Sequence, residues 1–166
     1  MSFSPATPMR IAAFVAIVLL AGCGWQLRGA VAPAVDSIAI NGGSLPLVNR
    51  LEDSLEQAGV AVYPDAHRQL GISRERWQTR VIAVDTLGRA LEQELRYTLR
   101  WQVSDQDRQL SPSRELVVTR SYSIRPENAG GASDEARQTR ELMIEDAARR
   151  LLRQLQAVDF SDPETP

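Results

Sequence analysis

The sequence predicts an α+β fold, a two-layer sandwich in which two helices pack on one face of a mostly antiparallel, four-stranded sheet. Two observations support it. Long segments alternate apolar and polar residues with period two, as strands with one buried face do, and only two segments carry the apolar stripe of a helix. The order is strand, helix, several strands, helix, which is typical of this class.

The first strand is predicted over 35–41, where Ile38 and Ile40 share one face. A helix over 45–58 follows, with Ser44 as its N-cap and Pro46 in its first turn. Its apolar stripe consists of Leu47, Val48, Leu51, Leu55 and Ala58. Gly59 is a helix stop, and residues 60–63 form a short extended piece.

The middle of the chain predicts long antiparallel strands. Residues 69–76 form one strand, and 79–86 continue it beyond a bulge or kink. The strongest strand covers 90–104, followed by a polar turn over 104–112 and a return strand over 115–124. The inward positions are Leu91, Gln93, Leu95, Tyr97, Leu99, Trp101 and Val103 on one strand and Leu116, Val118, Tyr122 and Ile124 on the next. Arg120 falls on that same inward face, where we expect it to be paired.

A loop over 126–132, which includes Gly130 and Gly131, precedes a C-terminal helix over 133–158 with Ser133 as its cap. The apolar face of this helix consists of Met143, Ile144, Ala147, Ala148, Leu151, Leu152 and Leu155. We expect Leu151 and Leu155 to lie under the sheet. Residues 159–166 predict a disordered polar tail.

The N-terminus has the pattern of an export signal. Arg10 precedes an uncharged apolar run over 11–20, which is shorter than the roughly 20 residues that span a bilayer. The run leads into Leu20-Ala21-Gly22-Cys23, which resembles the lipobox of a bacterial lipoprotein. An ordinary signal peptide with a chance cysteine is the alternative. The lipobox implies cleavage before Cys23 and lipidation of its sulfur and new amine.

Cys23 is the only cysteine, and an unpaired cysteine in an exported protein needs a reason. Lipidation would supply one and would hold the chain at a membrane. In lipoproteins of this kind an aspartate after the cysteine signals inner-membrane retention, so Gly24 implies transport to the outer membrane. The predicted organisation is a signal peptide over 1–22, an anchored lead over 23–34, a domain over 35–158 and the tail over 159–166.

The composition narrows the function classes. Removing the signal peptide leaves 18 arginines, no lysine and 21 acidic residues, a net charge of −3 that argues against nucleic acid as a partner. His67 is the only histidine, and the sequence has no phosphate-binding glycine loop and no nucleophile elbow. We therefore expect no enzyme activity, no metal and no cofactor apart from the lipid on Cys23.

Arginines from the two long strands or their ends form the other candidate surface: Arg89, Arg96, Arg100, Arg120 and Arg125. Arginine holds phosphate in a bidentate fork, so a polyanionic lipid head group is a possible ligand. The alternative is a solvated face whose charges are balanced by Glu92, Glu94 and Glu115.

The segment Cys23-Gly24-Trp25-Gln26-Leu27-Arg28 resembles the mature start of the LPS-assembly lipoprotein LptE family, which typically begins Cys-Gly-aromatic-x-Leu-Arg. The similarity extends over roughly residues 20–157 in the order and size of the elements. The resemblance implies a lipoprotein that sits largely inside the outer-membrane β-barrel LptD, acts as its plug and assembly factor, and helps insert lipopolysaccharide into the outer leaflet.

The resemblance also implies direct contact with lipopolysaccharide. The family's basic residues for this lie near the turn before the long strand and near the start of the last helix, and of the residues here only Arg89 is basic. We expect Arg89 to bind lipopolysaccharide, with Arg96 or Arg100 helping. The alternative function is an unrelated lipid-anchored periplasmic binding or accessory module, which would not form a tight complex with a large barrel.

Overall fold

The computed structural model describes residues 33–106, 108–124 and 129–160. These residues form β1 (Ser37–Asn41), α1 (Leu45–Gln57), β2 (Ala61–Val62), β3 (Arg68–Val84), β4 (Ala90–Asp105), β5 (Arg108–Gln109), β6 (Arg114–Ser123) and α2 (Ala129–Leu155). The sheet order is β2-β1-β3-β4, and the far edge of β4 pairs with both β5 and β6. β1 runs parallel to β2 and β3, whereas the other pairs are antiparallel.

The predicted α+β class is therefore confirmed, but the described sheet has six strands and not four. The two additional strands, β2 and β5, are two residues long each. β5 lies inside the segment predicted as a turn, where Arg108 and Gln109 pair with the end of β4. Two residues are too few to show a period-two pattern, so their pairing depends on the neighbouring strand.

The helix α1 confirms the predicted apolar stripe, because Leu47, Leu51 and Leu55 are each at most 1% exposed. Gly59 adopts a φ of +82°, as a helix stop in the left-handed region does. Ser44 occupies the N-cap position, but its side chain makes no capping hydrogen bond. Its hydroxyl donates to Glu75 instead, since a bond to a carboxylate is stronger than one to a neutral group.

The turn after β1 packs directly on β3. Gly42 has a φ of +82°, and a Cβ built there would lie 2.3 Å from the carbonyl oxygen of Ile72. Only glycine allows both this conformation and this approach. The turn thereby holds α1 against the start of the long hairpin formed by β3 and β4.

The long hairpin joins the two predicted segments into one strand, but its irregularities lie elsewhere than predicted. β3 and β4 pair from Arg68 opposite Asp105 to Val84 opposite Ala90, and pairing is regular across the predicted break between residues 76 and 79. The register shifts lie between Ser73 and Arg76 and again between Val81 and Val84.

The helix α2 begins at Ala129, four residues before the predicted start. The interpretation of Ser133 as the N-cap was therefore wrong, and so was the assignment of Gly130 and Gly131 to a loop. Glycine disfavours a helix interior by only about 1 kcal/mol relative to alanine, which does not prevent a long helix from extending through two of them.

The core lies between the helices and one face of the sheet, as predicted. Leu151 and Leu155 of α2 are fully buried in the same cluster as Leu95, Leu99 and Trp101 of β4. The Trp101 indole N–H donates to the Gln154 side chain at 3.0 Å, so the only polar group of this buried ring has a hydrogen-bond partner.

The hairpin extends beyond this core. Leu91, predicted as inward, is 39% exposed, and Val84 and Leu87 near the turn are 56% and 76% exposed. Arg120, expected to be paired inside, is exposed. An arginine with core-face parity can place its long stem along the sheet and its guanidinium in water.

Phe160, which was assigned to the predicted tail, packs against the domain. Phe160 is 3% exposed, and its carbonyl oxygen accepts a hydrogen bond from the Arg68 guanidinium at 3.2 Å. The guanidinium carbon lies 6.0 Å from the Phe160 ring centroid. Phe160 therefore belongs to the hydrophobic core of the domain. Residues 161–166 lie outside the described part of the chain.

Candidate functional site

The side of the sheet opposite the core is polar, and we call it the open face. Its β4 residues are Glu94, Arg96, Thr98, Arg100 and Gln102, all of which are partly or fully exposed. The neighbouring β3 and β6 residues on this face are also mostly polar. This face contributes no side chain to the buried cluster, so its residues are not required for core packing.

A β-bulge in β3 changes what the open face presents. Ser73 pairs with Arg100 and Arg76 pairs with Thr98, so Arg74 and Glu75 together oppose the single residue Leu99. Arg74 has a φ of 53°, in the left-handed region that residues with a Cβ rarely adopt. The bulge inserts one extra residue into β3. Bulges of this kind change the direction of the side chains next to them.

Glu75 anchors the bulge from the core side. Its carboxylate accepts the Ser44 backbone N–H at 2.6 Å and the hydroxyls of Ser44 and Tyr97 at 2.7 Å each. Burial, together with this hydrogen bond to a carboxylate, raises the pKa of Tyr97, so the phenol remains a donor. Trp77 stacks on the Tyr97 ring with centroids 4.3 Å apart. Glu75 thus ties β3 and β4 to the start of α1.

On the open face, the residues around the bulge enclose an open depression of about 510 Å³. Four arginines, two glutamates and two neutral polar residues border it: Arg74, Arg76, Arg96, Arg100, Glu75, Glu115, Gln78 and Thr98. Of the acids, Glu75 is engaged by Ser44 and Tyr97, and Glu115 lies 3.8 Å from the Arg100 Nε atom. Four guanidinium groups against two carboxylates give the depression a net formal charge of +2.

The structure brings together two of the three predicted binding residues. Arg96 and Arg100 border the same depression. Arg89 immediately precedes β4, seven residues from Arg96, or about 23 Å along a strand. Its Nε atom lies 2.6 Å from the Asp85 carboxylate within the hairpin turn. That carboxylate also accepts the Arg89 and Leu87 backbone N–H groups at 2.9 Å, so Arg89 helps to order the turn.

Arg74 and Arg76 were not identified by sequence reasoning. A bulge between residues 76 and 79 was considered, but strand parity cannot be carried across a bulge whose position is unknown. The available signal was the alternation of Arg74, Glu75 and Arg76 beside the predicted break. Only the pairing with β4 shows that both arginines join Arg96 and Arg100.

The remaining sequence predictions concern Cys23, His67 and metal binding. Cys23 lies outside the described residues, so its lipidation stays a prediction. His67 is exposed, with its Nδ1 atom 2.6 Å from the Gln106 side-chain nitrogen. In the described part of the chain, no group of three or more histidine, cysteine or acidic residues is arranged to hold a metal ion. No helix among the described residues is long and apolar enough to cross a membrane.

Solved structures share this fold. A minor lipoprotein of Acinetobacter baumannii superposes with a TM-score of 0.66 at 19% identity, covering 79% of this chain and 99% of that one. Lipoprotein B of Nitrosomonas europaea gives 0.67 at 22% identity, covering 81% and 91%. The rare lipoprotein B of Shewanella oneidensis gives 0.65 at 18% identity, covering 73% and 94%. These identities establish similarity of fold alone.

Comparison with family models is more specific. No curated protein sequence matches the chain. The family model described as LptE, lipopolysaccharide-assembly, matches residues 33–155, which include all the described strands and helices. The match begins after the N-terminal motif that carries the sequence resemblance and covers most of the chain. The chain belongs to the LptE family of lipopolysaccharide-assembly proteins.

Proposed function

We propose that this protein is a lipid-anchored outer-membrane subunit that plugs and helps to assemble the LptD β-barrel. The observation that carries the proposal is the LptE family match over residues 33–155. The polar open face supports it, because the lumen of an outer-membrane barrel is itself polar. A domain that presents a polar face of its sheet can line such a lumen with polar contacts, whereas its exposed apolar side chains lie mainly near the hairpin turn.

The role proposed for the chain is structural and not enzymatic. Its folded domain would occupy the barrel, while the lipid on Cys23 would hold it at the inner leaflet of the outer membrane. Lipid chains contribute about 0.8 kcal/mol per buried methylene, so several chains give lasting attachment. Lipopolysaccharide would pass from the periplasm to the outer leaflet in the complex that the two proteins form.

Co-purification tests the assembly role. The full chain with a C-terminal affinity tag is extracted from outer membranes in mild detergent, and proteins that remain bound through high-salt washing are identified by mass spectrometry. We expect a large β-barrel protein in near-equimolar amount. A tagged lipoprotein of unrelated fold, expressed at the same level, is the control. Recovery of the chain without a barrel would favour an independent periplasmic module instead.

Lipidation is tested separately. Intact-mass analysis of the purified chain should show loss of residues 1–22 and the added mass of the acyl groups on Cys23. The Cys23→Ser variant should retain its signal segment or appear as a chain without lipid. An unmodified cysteine in the wild-type protein would contradict the anchor and leave the co-purification result unaffected.

A further inference from the structure

The outer edge of β3, on the side away from β4, is only partly used by the sheet. β1 pairs with this edge over residues 69–71, and the chain then turns away at Gly42. Beyond Gly71 no described strand pairs with the outer edge, although β3 continues to Val84. An unpaired edge presents a row of free N–H and C=O groups and can accept another strand.

The hydrogen-bond direction along β4 identifies which backbone groups of β3 are unpaired. The carbonyl oxygen of Leu91 accepts the Ile124 N–H, so odd-numbered β4 residues direct their backbone groups away from β3. Even-numbered β4 residues therefore bond to β3, where their partners between the register shifts are Arg76, Gln78 and Arg80. The alternate residues of β3 direct their N–H and C=O groups to the free edge: Trp77, Thr79 and Val81.

The two irregularities of β3 set the length of this free edge. One register shift precedes Arg76 and the other follows Val81, so pairing with β4 is regular over residues 76–81. Six residues of strand extend over about 20 Å. We call residues 76–81 the β3 edge. It is long enough for an added strand of ordinary length.

The open-face side of the β3 edge is basic. The side chains of Arg76, Gln78 and Arg80 are exposed there. Arg80 lies 3.2 Å from Glu94, but its side chain is 72% exposed, and exposed ion pairs of this kind are weak. In an added strand, every second residue would lie beside these side chains, where a negative charge is favoured.

The other side of the β3 edge, which faces the helices, is apolar and recessed. Trp77 is half-buried there, and Val81 is 46% exposed. An open concavity of about 620 Å³ adjoins Trp77, and its border includes Pro46, Ile72 and Ile144. Two arginines and one glutamate also border it. The remaining residues of an added strand would meet this surface, where apolar side chains are favoured.

The opposite edge of the sheet differs in its surroundings. The strand β6 packs against α2, and the Arg150 guanidinium donates to the outward carbonyl oxygen of Val117 at 3.4 Å. In the described part of the chain, no side chain bonds to the outward backbone groups of the β3 edge. A side chain from a helix thus occupies part of the β6 edge, whereas the β3 edge is open.

We propose that the β3 edge binds an extended segment of another polypeptide in which acidic and apolar residues alternate. Main-chain hydrogen bonds with Trp77, Thr79 and Val81 supply affinity, and the alternating side chains supply specificity. The acidic residues of the segment lie beside the arginines of the open face, and its apolar residues lie beside Trp77. The inference goes beyond the proposed function and does not depend on it, because it rests on the described domain alone.

Charge and sequence argue against a partner from this chain. Antiparallel pairing of two β3 edges about Gln78 places Arg76 of one copy opposite Arg80 of the other, and like charges directly opposite destabilise a sheet. The residues before Pro33 include no acidic residue, and residues 161–166 include acids but no large apolar residue. Neither segment has the required alternation.

The direct test is residue-resolved amide exchange, measured by NMR on the full-length chain in detergent. The probe is a synthetic peptide of about eight residues in which glutamate and valine alternate. We expect the peptide to slow exchange at Trp77, Thr79 and Val81, whereas Gln78 and Arg80 already bond to β4 and should change little. Slowed exchange on β6 instead, or no binding of the peptide, overturns the proposal.

Two matched variants test the contribution of the backbone. Thr79→Pro and Thr119→Pro each remove one outward N–H, on opposite edges of the sheet, and leave the hydrogen bonds to β4 in place. By fluorescence anisotropy with labelled peptide, we expect at least about ten-fold weaker binding by Thr79→Pro and a change within about two-fold for Thr119→Pro. Equal losses in the two variants would exclude the β3 edge as the site.

The charge contribution is tested without altering the backbone, and this comparison decides the matter where Thr79→Pro does not fold. Arg76→Gln with Arg80→Gln should weaken binding roughly five-fold, and the loss should shrink as salt rises. The control is Arg149→Gln with Arg153→Gln, which removes two exposed arginines of α2 and should change binding by less than about two-fold. A similar loss in both double variants would contradict recognition by the open-face arginines.

The order of residues in the peptide separates strand addition from general attraction of charge. A second peptide has the same composition, but its glutamates and valines stand in two separate blocks. We expect this peptide to bind at least about ten-fold more weakly, because only alternation sends the two residue types to opposite faces of a strand. Equal affinity for the two peptides would overturn the proposal.

Other occupants of the β3 edge give different results. A dimer in sedimentation that Thr79→Pro converts to a monomer would assign the edge to a second copy of the chain. Slow exchange at Trp77, Thr79 and Val81 before any peptide is added would assign it to another segment of the same chain. Either result overturns the proposed partner, whereas failure to capture a barrel would contradict the assembly role alone.

Discussion

The two faces of β4 are built from alternate residues of one strand but lie in different environments. On the core face, Leu95, Tyr97, Leu99, Trp101 and Val103 are each at most 1% exposed. On the open face, Arg96, Arg100 and Gln102 are exposed. The comparison teaches that one strand can supply both a buried core and an exposed polar surface, since a period-two strand sends neighbouring residues into different environments.

The largest expected effect tests the core face. Leu151→Ala should lower the free energy of unfolding by about 2–5 kcal/mol, because it removes buried methyl groups and leaves a cavity against β4. Leu142→Ala, at a 42% exposed site on the same helix, should change it by less than about 0.5 kcal/mol. Urea denaturation of both variants measures the difference. Similar losses would show that the helix does not pack as described.

The second prediction concerns the link between the faces. Glu75→Ala removes the acceptor of three hydrogen bonds and should destabilise the protein by about 1–3 kcal/mol, because the Ser44 and Tyr97 groups lose their partner. Glu115→Ala, on the open face, removes only an exposed contact at 3.8 Å and should cost less than about 0.5 kcal/mol. Chemical denaturation distinguishes them, and equal costs would remove Glu75 as the anchor of the bulge.

The third prediction reverses the usual effect of glycine in a strand. Arg74→Gly should be neutral or stabilising by up to about 1 kcal/mol, because glycine adopts a φ of 53° without strain. Arg76→Gly, two residues along in regular pairing, should destabilise by roughly 0.5–1 kcal/mol. Thermal unfolding reports both. If Arg74→Gly costs as much as Arg76→Gly, the left-handed conformation is not the native one.

The smallest effect belongs to the hairpin turn. Hydrogen bonds from the Arg89 backbone and side chain lower the pKa of Asp85 below its ordinary value of 3.8. A lowered folded-state pKa stabilises the fold above pH 3.8, and the contribution is lost as pH falls through the folded value. Asp85→Asn should therefore be slightly less stable than wild type at pH 7, with a difference that shrinks below pH 4. A constant difference at all pH values would assign the effect to geometry and not to charge.

Much of the fold could be predicted from local pattern. The alternation in β4 identified the core face, and the apolar stripes of α1 and α2 identified the residues that cover it. The errors occurred where local preference was weak: Ser133 was expected to cap a helix that begins at Ala129, and Phe160 was assigned to a tail. In both places the structure depends on contacts with residues distant in sequence, which a short window of sequence cannot reveal.

By itself, the sequence determined the α+β class, the buried face of each long element and the family to which the N-terminal motif belongs. These depend on periodicity and on short contiguous motifs, which can be recognised in the sequence before any tertiary contact is known. Only the tertiary structure decided that Glu75 points inward and that Arg74 and Arg76 join Arg96 and Arg100. The reason is the bulge: one extra residue shifts the parity of all that follows, and its position depends on a carboxylate that Ser44, 31 residues away, holds in place.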